Sequence, residues 1–231
     1  MSWTERFFTI WKTKNMYRFP DYIFKKILSE TRGKILDIGT GNGLKLKKIL
    51  EKILENNKNQ IERVVALEIN KNLFQVAKEL LNYDFIDVVN CSFEDFQRDE
   101  KYDTIFAFEV IEHVQNPYFF IEKCRELLNN HGCLIITTPN KKIYRLQEKF
   151  YSFVSREKNK THIPEVDELG QSHVKEFDYK ELSLVLKQFF NQVNLYAIYP
   201  FHSIRSKLYE KINEITNFLP FSIRILAICR K

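Results

Sequence analysis

Residues 33–43 read GKILDIGTGNG, and this stretch is the strongest indication of the fold. It predicts a short buried strand over 34–38, then a glycine turn, then a helix. Four of the six glycines in the chain lie here, at positions 33, 39, 41 and 43. Such a concentration indicates backbone that adopts a positive φ or that a ligand approaches closely. Asp37 stands near the predicted end of the strand, just ahead of the turn.

The composition predicts one α/β domain rather than a dedicated nucleic-acid-binding protein. The 36 basic and 30 acidic residues of the 231-residue chain are interspersed, whereas nucleic-acid binders usually concentrate Lys and Arg in a stripe. The four cysteines form no CxxC pair, which predicts reduced thiols in a cytoplasmic protein. No apolar run approaches the roughly 18 residues of a membrane-spanning helix, and the N-terminus lacks the continuous apolar core of a signal peptide.

Beyond the glycine turn, apolar runs that predict strands alternate with helical patterns. Residues 63–69, RVVALEI, are almost continuously apolar, as buried parallel strands are, and Glu68 falls at their C-terminal end. An acid at that place can accept both ribose hydroxyls of a nucleoside. Further strands are predicted over 86–90, 103–108, 133–138 (after a turn at 130–132), 193–199 and 223–229, and Asn70, Asn116 and the pair Asp178 and Glu181 are predicted to cap helices.

Three polar residues follow the fourth predicted strand, namely Glu109, Glu112 and His113. If the backbone turns helical after Glu109, the spacing i, i+3, i+4 places them on one face. That face would look into the cleft above the strand ends, where ligands bind in open α/β sheets. The sequence therefore predicts a polar cluster at the mouth of this cleft.

Several segments together resemble the class I S-adenosylmethionine (SAM)-dependent methyltransferases: LDIGTGNG, YDTIFAFEVIEHV, TPN and HVKEF. The aspartate-led G-x-G-x-G turn also differs from the G-x-G-x-x-G fingerprint of dinucleotide-binding enzymes, which disfavours an NAD-dependent oxidoreductase. The resemblance covers roughly residues 20–231. It implies a Rossmann-like sheet of seven strands, mostly parallel with an antiparallel last strand, in a single domain over residues 1–231.

Three amphipathic helices are predicted outside the regular alternation, over 3–17, 141–156 and 203–218. The resemblance implies that they are cap or acceptor-binding elements. For the helix over 3–17, plain packing against the sheet and attachment to a membrane surface remain open alternatives.

The resemblance also implies which residues bind SAM. They are Asp37, Gly39, Thr40, Gly41, Gly43, Glu68, Ile69, Ser92, Phe93 and Glu109. Ser92 stands where this family usually has an aspartate, so the contact with adenine is expected to differ here. Phe93 is expected to contact adenine through its backbone or its ring.

Glu109 and His113 are the candidates for taking a proton from a hydroxyl acceptor, because their positions place them near the transferred methyl group. In this family the residue at the position of Glu109 often contacts the amino group of the cofactor's methionine moiety instead. A sharper hypothesis is that Glu109, Glu112, His113 and His173 form a magnesium or manganese site. These four resemble the two-glutamate, two-histidine site of small-RNA 3′-end 2′-O-methyltransferases, and similar residues occur in quinone-biosynthesis O-methyltransferases.

The leading functional hypothesis is O-methyl transfer from SAM to a small-molecule or a lipid- or sugar-linked acceptor. The first alternative is a metal-dependent RNA 2′-O-methyltransferase, although no RNA-binding appendage is visible. The second is a SAM-binding protein without catalysis. A cytoplasmic location is expected, with peripheral membrane contact as an option.

Overall fold

The protein is described here by a computed structural model, which defines residues 19–56, 60–142, 174–198 and 222–231. Within these ranges the strands are β1 (Gly33–Ile38), β2 (Ile61–Leu67), β3 (Ile86–Val89), β4 (Tyr102–Phe108), β5 (Leu128–Pro139), β6 (Gln192–Ile198) and β7 (Arg224–Arg230). They form one sheet in the order β3-β2-β1-β4-β5-β7-β6. Among these strands, β7 runs antiparallel to both of its neighbours, β5 and β6, and all other neighbouring pairs are parallel. The predicted fold is confirmed.

The helices connect and flank these strands where the sequence places caps. They are α1 (Asp21–Glu30), α2 (Leu44–Asn56), α3 (Lys71–Leu80), α4 (Pro117–Leu127) and α5 (Tyr179–Leu186). Asn70 and Asn116 each accept two backbone N–H groups at the starts of α3 and α4. Asp178 and Glu181 form a reciprocal capping box at the start of α5. All three predicted caps are confirmed.

The core consists of two apolar clusters, one on each face of the sheet. Successive residues of the central strands point to opposite faces, so Ile35 joins one cluster and Leu36 the other. Helices α1, α2 and α3 pack on the face of Ile35, and α4 and α5 pack on the face of Leu36. Because both faces are covered, the central strands are nearly continuous in apolar residues.

The entry into β5 differs from the prediction. The sequence predicted a turn at 130–132 before a strand, whereas β5 begins at Leu128. Leu128 pairs with Tyr102, but Cys133 already pairs with Thr104, so the register shifts between them. Residues 129–132 therefore bulge out of the sheet while the chain stays extended.

Several predictions fall on residues outside the described ranges. These are the helices over 3–17 and 203–218, almost all of the helix over 141–156, and His173. In the part of the chain that the structure describes, no helix combines the length and the apolar composition needed to cross a bilayer. All four cysteines are free thiols in the structure.

Candidate cofactor and acceptor site

The glycine turn between β1 and α2 follows a left-handed path. Gly39, Gly41 and Gly43 have φ of 69°, 61° and 79°. A Cβ on Gly43 would lie 3.3 Å from the backbone Cα of Ala77, so this glycine lets the turn pack closely against α3. A Cβ on Gly41 would meet no atom within 4 Å, so this part of the turn borders open space. The turn therefore packs against α3 at Gly43 and borders open space at Gly41.

Asp37 lies buried at the carboxyl end of β1, with 3% of its surface exposed. Burial raises its pKa to about 7, while the nearby Thr40 hydroxyl and the Lys45 ammonium oppose the rise and Glu68 adds to it. The Thr40 Oγ1 atom is itself buried and makes no hydrogen bond of normal geometry in the described structure. Asp37 is thus a carboxyl group that a cationic ligand would ionise.

Glu68 is buried rather than exposed, directly after the end of β2. Its Oε2 accepts a hydrogen bond from the Gly41 backbone N–H at 2.7 Å, and its Oε1 accepts one from Asn70 N–H at 2.8 Å. The carboxyl group therefore holds the glycine turn against the start of α3. Each oxygen retains a further lone pair, so this structural role leaves acceptor capacity for a ribose hydroxyl.

Beside Glu68, the side chain of Ile69 is 62% exposed, which is unusual for an isoleucine next to a buried strand. The Asn90 amide donates hydrogen bonds to the carbonyl oxygens of Glu68 and Ile69, at 2.7 and 3.0 Å. Asn90 thereby fixes the backbone that presents Ile69. An exposed aliphatic surface held in this way suits one face of a planar base.

Ser92 and Phe93 lie in the turn after β3. The Ser92 hydroxyl donates to Asp95 at 2.8 Å, so the two residues form a local turn. The Phe93 ring is 6% exposed and packs edge-on against Phe120, with 5.0 Å between the ring centroids. The ring is directed into the core. Of the two contacts predicted with adenine, through the ring and through the backbone of Phe93, only the backbone contact remains.

Glu109 follows β4 with φ of 61°, a conformation that non-glycine residues rarely adopt. Its Oε2 forms an ion pair with Arg224, whose Nε lies 2.9 Å away. Its Oε1 and the nearby Thr137 hydroxyl are buried, and neither forms a hydrogen bond of normal geometry in the described structure. Burial tends to raise the pKa of Glu109, but Arg224 and Lys45 outweigh it and hold the pKa below its usual value. The backbone of Glu109 is therefore strained, and its carboxylate keeps one oxygen without a hydrogen bond of normal geometry.

Glu112 and Glu109 do not lie on one helix. The backbone from 109 to 114 forms turns instead of a helix, because Glu109 takes the left-handed conformation. Glu112 is buried, and its carboxyl group accepts a hydrogen bond from the Thr138 hydroxyl at 3.0 Å. Burial, and then the charge of Glu109, raise the pKa of Glu112 well above its usual range. The prediction of a helix that presents both residues on one face was therefore wrong, although the charges of Glu109 and Glu112 still interact.

His113 lies half-buried in the same turn, and its backbone N–H donates to Val110 at 2.9 Å. Among the described residues, no three acidic, histidine or cysteine side chains come together as a metal site. Glu109 is paired with Arg224, and Glu112 with Thr138. His173, the fourth member of the predicted set, lies outside the described residues, so the four-residue metal site stays a prediction.

Three polar residues of this site carried no predicted role there: Lys45, Arg224 and Asn140. Lys45 and Arg224 both act electrostatically on Glu109. Buried Asn140, from the TPN segment, donates to the Ser222 carbonyl and hydroxyl oxygens at 2.9 and 3.2 Å. It thereby fixes the chain just before β7, on which Arg224 stands. The TPN motif could have indicated Asn140, but no local pattern could have paired Arg224 with Glu109.

Comparison with known families agrees with this geometry. A family model described as a methyltransferase domain matches residues 29–195, well over half of the chain. The chain belongs to the methyltransferase family. Its seven-stranded sheet matches the Rossmann-like sheet of the class I, SAM-dependent methyltransferases.

Curated relatives include ubiquinone biosynthesis O-methyltransferases. The protein of that name from Glaesserella parasuis is 30% identical over 116 residues, which cover 47% of this chain and 46% of the relative. The Rickettsia felis protein is 33% identical over 133 residues, covering 54% and 52%. This methyltransferase chain therefore spans about half the length of these relatives.

Solved structures show the same fold at low identity. A putative SAM-dependent methyltransferase from Listeria monocytogenes has a TM-score of 0.61 and 12% identity, over 91% of this chain and 95% of the other. The N-methyltransferase NodS from Bradyrhizobium japonicum, in complex with S-adenosyl-L-homocysteine, has a TM-score of 0.58 and 13% identity, over 91% and 86%. At such identities the likeness concerns the fold alone.

Proposed function

We propose that this methyltransferase transfers the methyl group of SAM to a hydroxyl of a small molecule. The observation that carries the proposal is the crevice between the tips of β1 and β4, where Asp37, Lys45 and Glu109 interact electrostatically. The order of the strands reverses between β1 and β4, which is where open α/β sheets bind ligands. The names of the curated relatives support oxygen as the methylated atom.

In this proposal the glycine turn and its neighbours hold the cofactor. Gly41, with open space beside it, allows the nucleoside to approach the backbone, and Glu68 accepts the ribose hydroxyls. The exposed side chain of Ile69 supports one face of adenine, and the backbone of the turn at Ser92 and Phe93 meets its edge. The carboxylate of Asp37 attracts the positively charged end of SAM.

Methyl transfer depends more on positioning the acceptor than on activating the methyl donor, because the sulfonium is already a good leaving group. The acceptor oxygen must attack the methyl carbon in line with the departing sulfur, and its proton must move to a base. Glu109 is a poor base, since Arg224 holds its pKa below the usual value. Histidine is the side chain best suited to accept a proton near neutral pH, and we assign that role to His113.

An acceptor with an apolar body fits the surface beside His113. Tyr118, Phe119 and Val174 are each more than 40% exposed. Val174 donates its backbone N–H to the Glu112 carbonyl, and the Lys175 ammonium lies 5.5 Å from the Tyr118 ring centroid, so Val174 and Tyr118 lie near the turn that carries His113. A phenol with a lipid-like substituent would use it, whereas a free sugar would not.

The experiment is a transfer assay with labelled SAM and three pools: prenylated and simple catechols, a sugar-lipid extract, and small RNA. We expect label in the catechol pool, unchanged by a chelator. His113→Gln should lower kcat about 100-fold or more while the affinity for S-adenosylhomocysteine stays within twofold. Transfer to RNA that the chelator abolishes would replace this proposal with the RNA alternative. Tight SAM binding with no transfer to any pool would favour a non-catalytic binding protein.

A further inference from the structure

Lys175 presents a cation beside the apolar surface that we assign to the acceptor. Its ammonium group lies 5.5 Å from the ring centroids of both Tyr118 and Phe177. Both distances fall within the roughly 6 Å over which the face of a ring attracts a cation. Among the described residues, no carboxylate forms an ion pair with this ammonium group. The two rings therefore hold the ammonium group in place, and its N–H donors remain available to a ligand.

The backbone fixes Lys175 close to the proposed base. The N–H groups of Val174 and Lys175 both donate to the Glu112 carbonyl oxygen, at 2.8 and 3.1 Å. That carbonyl belongs to the peptide bond that joins Glu112 to His113. Glu112 is itself buried, and its side chain accepts a hydrogen bond from Thr138 at the end of β5. Lys175 is thus anchored to the sheet within one residue of His113.

The surface around this cation is aromatic. Tyr118 and Phe119 are 42% and 47% exposed, and the Phe189 ring lies 6.4 Å from the Tyr118 ring, between centroids. Helix α4 begins here, without an acidic residue in its first turn. The N–H groups of Tyr118 and Phe119 are already bonded to the Asn116 side chain. The side chain of Lys175, and not the end of the helix, is therefore the donor that can meet an anion.

A cation held by aromatic rings, next to exposed aromatic side chains, is complementary to an apolar body that carries an acidic group. We propose that Lys175 is a specificity-determining residue, which binds a carboxylate or phosphate group on the methyl acceptor. This inference rests on the proposed function and narrows its acceptor to an anionic phenol. A neutral phenol would leave Lys175 without a partner, and a free sugar phosphate would leave the aromatic surface uncovered.

The alternative is that Lys175 has a structural role only. Long basic side chains often cover apolar surface with their methylene groups, and the Phe177 ring beneath Lys175 is completely buried. Lys175→Met separates the two roles, because methionine keeps an unbranched apolar side chain and removes the charge. Lys175→Arg keeps both the charge and the contact with aromatic faces. Thermal unfolding should be the same for both variants and the unmodified protein.

The test compares three acceptors built on one alkylated catechol, which carries a carboxylate, a carboxamide or a phosphate. The unmodified chain should use one or both anions with a kcat/KM about fivefold above that of the amide, as expected for an exposed ion pair. The gain should come from a lower KM at unchanged kcat. Lys175→Met should remove the preference and leave the KM of the amide within about twofold, and Lys175→Arg should restore most of it. The preferred anion identifies the acidic group.

Salt and a matched variant provide the controls. The preference should shrink between about 0.05 and 0.5 M salt, because salt screens an exposed charge. Lys180→Met should leave all three KM values unchanged, since Lys180 is an exposed lysine at the start of α5. Equal use of the three acceptors by the unmodified chain, or a preference that persists in Lys175→Met, would overturn the inference.

Binding of the same compounds, measured by calorimetry with S-adenosylhomocysteine present, separates this inference from the proposed function. If no catechol is methylated but Lys175→Met weakens binding of the anions alone, the proposed reaction is refuted and the role of Lys175 stands. If the catechols are methylated without any preference for the anions, the reaction stands and the role of Lys175 is refuted. If none of the compounds is bound or methylated, both are refuted.

Discussion

The buried carboxyl group of Asp37 makes cofactor affinity depend on pH. In the unliganded protein its pKa is raised to about 7, chiefly by burial. SAM brings a sulfonium and an ammonium group to the crevice, and both favour the ionised carboxylate. Binding of SAM should therefore expel a proton from Asp37, and affinity should rise as pH rises through neutrality.

The size of this effect follows from the ionised fraction. With a pKa of about 7, about one Asp37 in eleven is ionised at pH 6 and about three in four at pH 7.5. If only the ionised form binds SAM well, the Kd should fall about eightfold between these pH values, or about 1.2 kcal/mol. About half a proton should be released per SAM bound at pH 7.

The assay is isothermal calorimetry at a series of pH values, in buffers that differ in ionisation enthalpy so that released protons are counted. Asp37→Asn should bind SAM more weakly but with an affinity that no longer changes between pH 6 and 7.5. The uncharged ligand 5′-methylthioadenosine should show a flat profile with the unmodified protein. A flat profile for SAM, or a slope that persists in Asp37→Asn, would refute the role given to this carboxyl group.

Three further outcomes concern stability, each measured by chemical denaturation. The pKa of Asp37 rises from 3.8 to about 7 on folding, so the folded state keeps a proton that the unfolded state loses, and stability falls as pH rises from about 4 to 7. Asp37→Asn should therefore raise the unfolding free energy at pH 8, by roughly 4 kcal/mol at most; no gain would contradict the shift. Gly43→Ala should lower the unfolding free energy by about 2 to 4 kcal/mol, because the φ of Gly43 is 79° and the new Cβ would lie 3.3 Å from the Ala77 Cα. No change in the unfolding free energy would mean that the turn moves to accommodate the Cβ. Asn140→Ala should lower the unfolding free energy by about 2 kcal/mol, since two buried hydrogen bonds to Ser222 are lost. A loss below about 0.5 kcal/mol, roughly the error of the method, would show that Asn140 does not fix the chain before β7.

Features that depend on neighbouring residues could be predicted from the sequence. The glycine turn, the caps at Asn70 and Asn116 and the capping box at Asp178 are all determined within a few residues, and each is present in the structure. The strands were predicted to within two residues except β5, where pairing with Tyr102 extends the strand to Leu128. Periodicity describes single elements, whereas register depends on the partner strand.

The pairing at the site could not be predicted in the same way. Arg224 reaches Glu109 only because β7 runs antiparallel beside β5, with Arg224 opposite Pro139. The expected common face of Glu109 and Glu112 failed because one residue took a left-handed conformation, which spacing alone does not indicate. Lys45 looked like any other residue of a lysine-rich helix until its tertiary surroundings were known.

The insertion of β7 between β5 and β6 has a consequence for biosynthesis. A ribosome delivers the five strands β1 to β5 well before it delivers Arg224, so an emerging chain can assemble most of the sheet while Glu109 still lacks its ion pair with Arg224. During that interval β5 has an unpaired edge, which is exposed to aggregation. Translation of the β7 segment therefore completes the sheet and the ion pair between Glu109 and Arg224 in the same step.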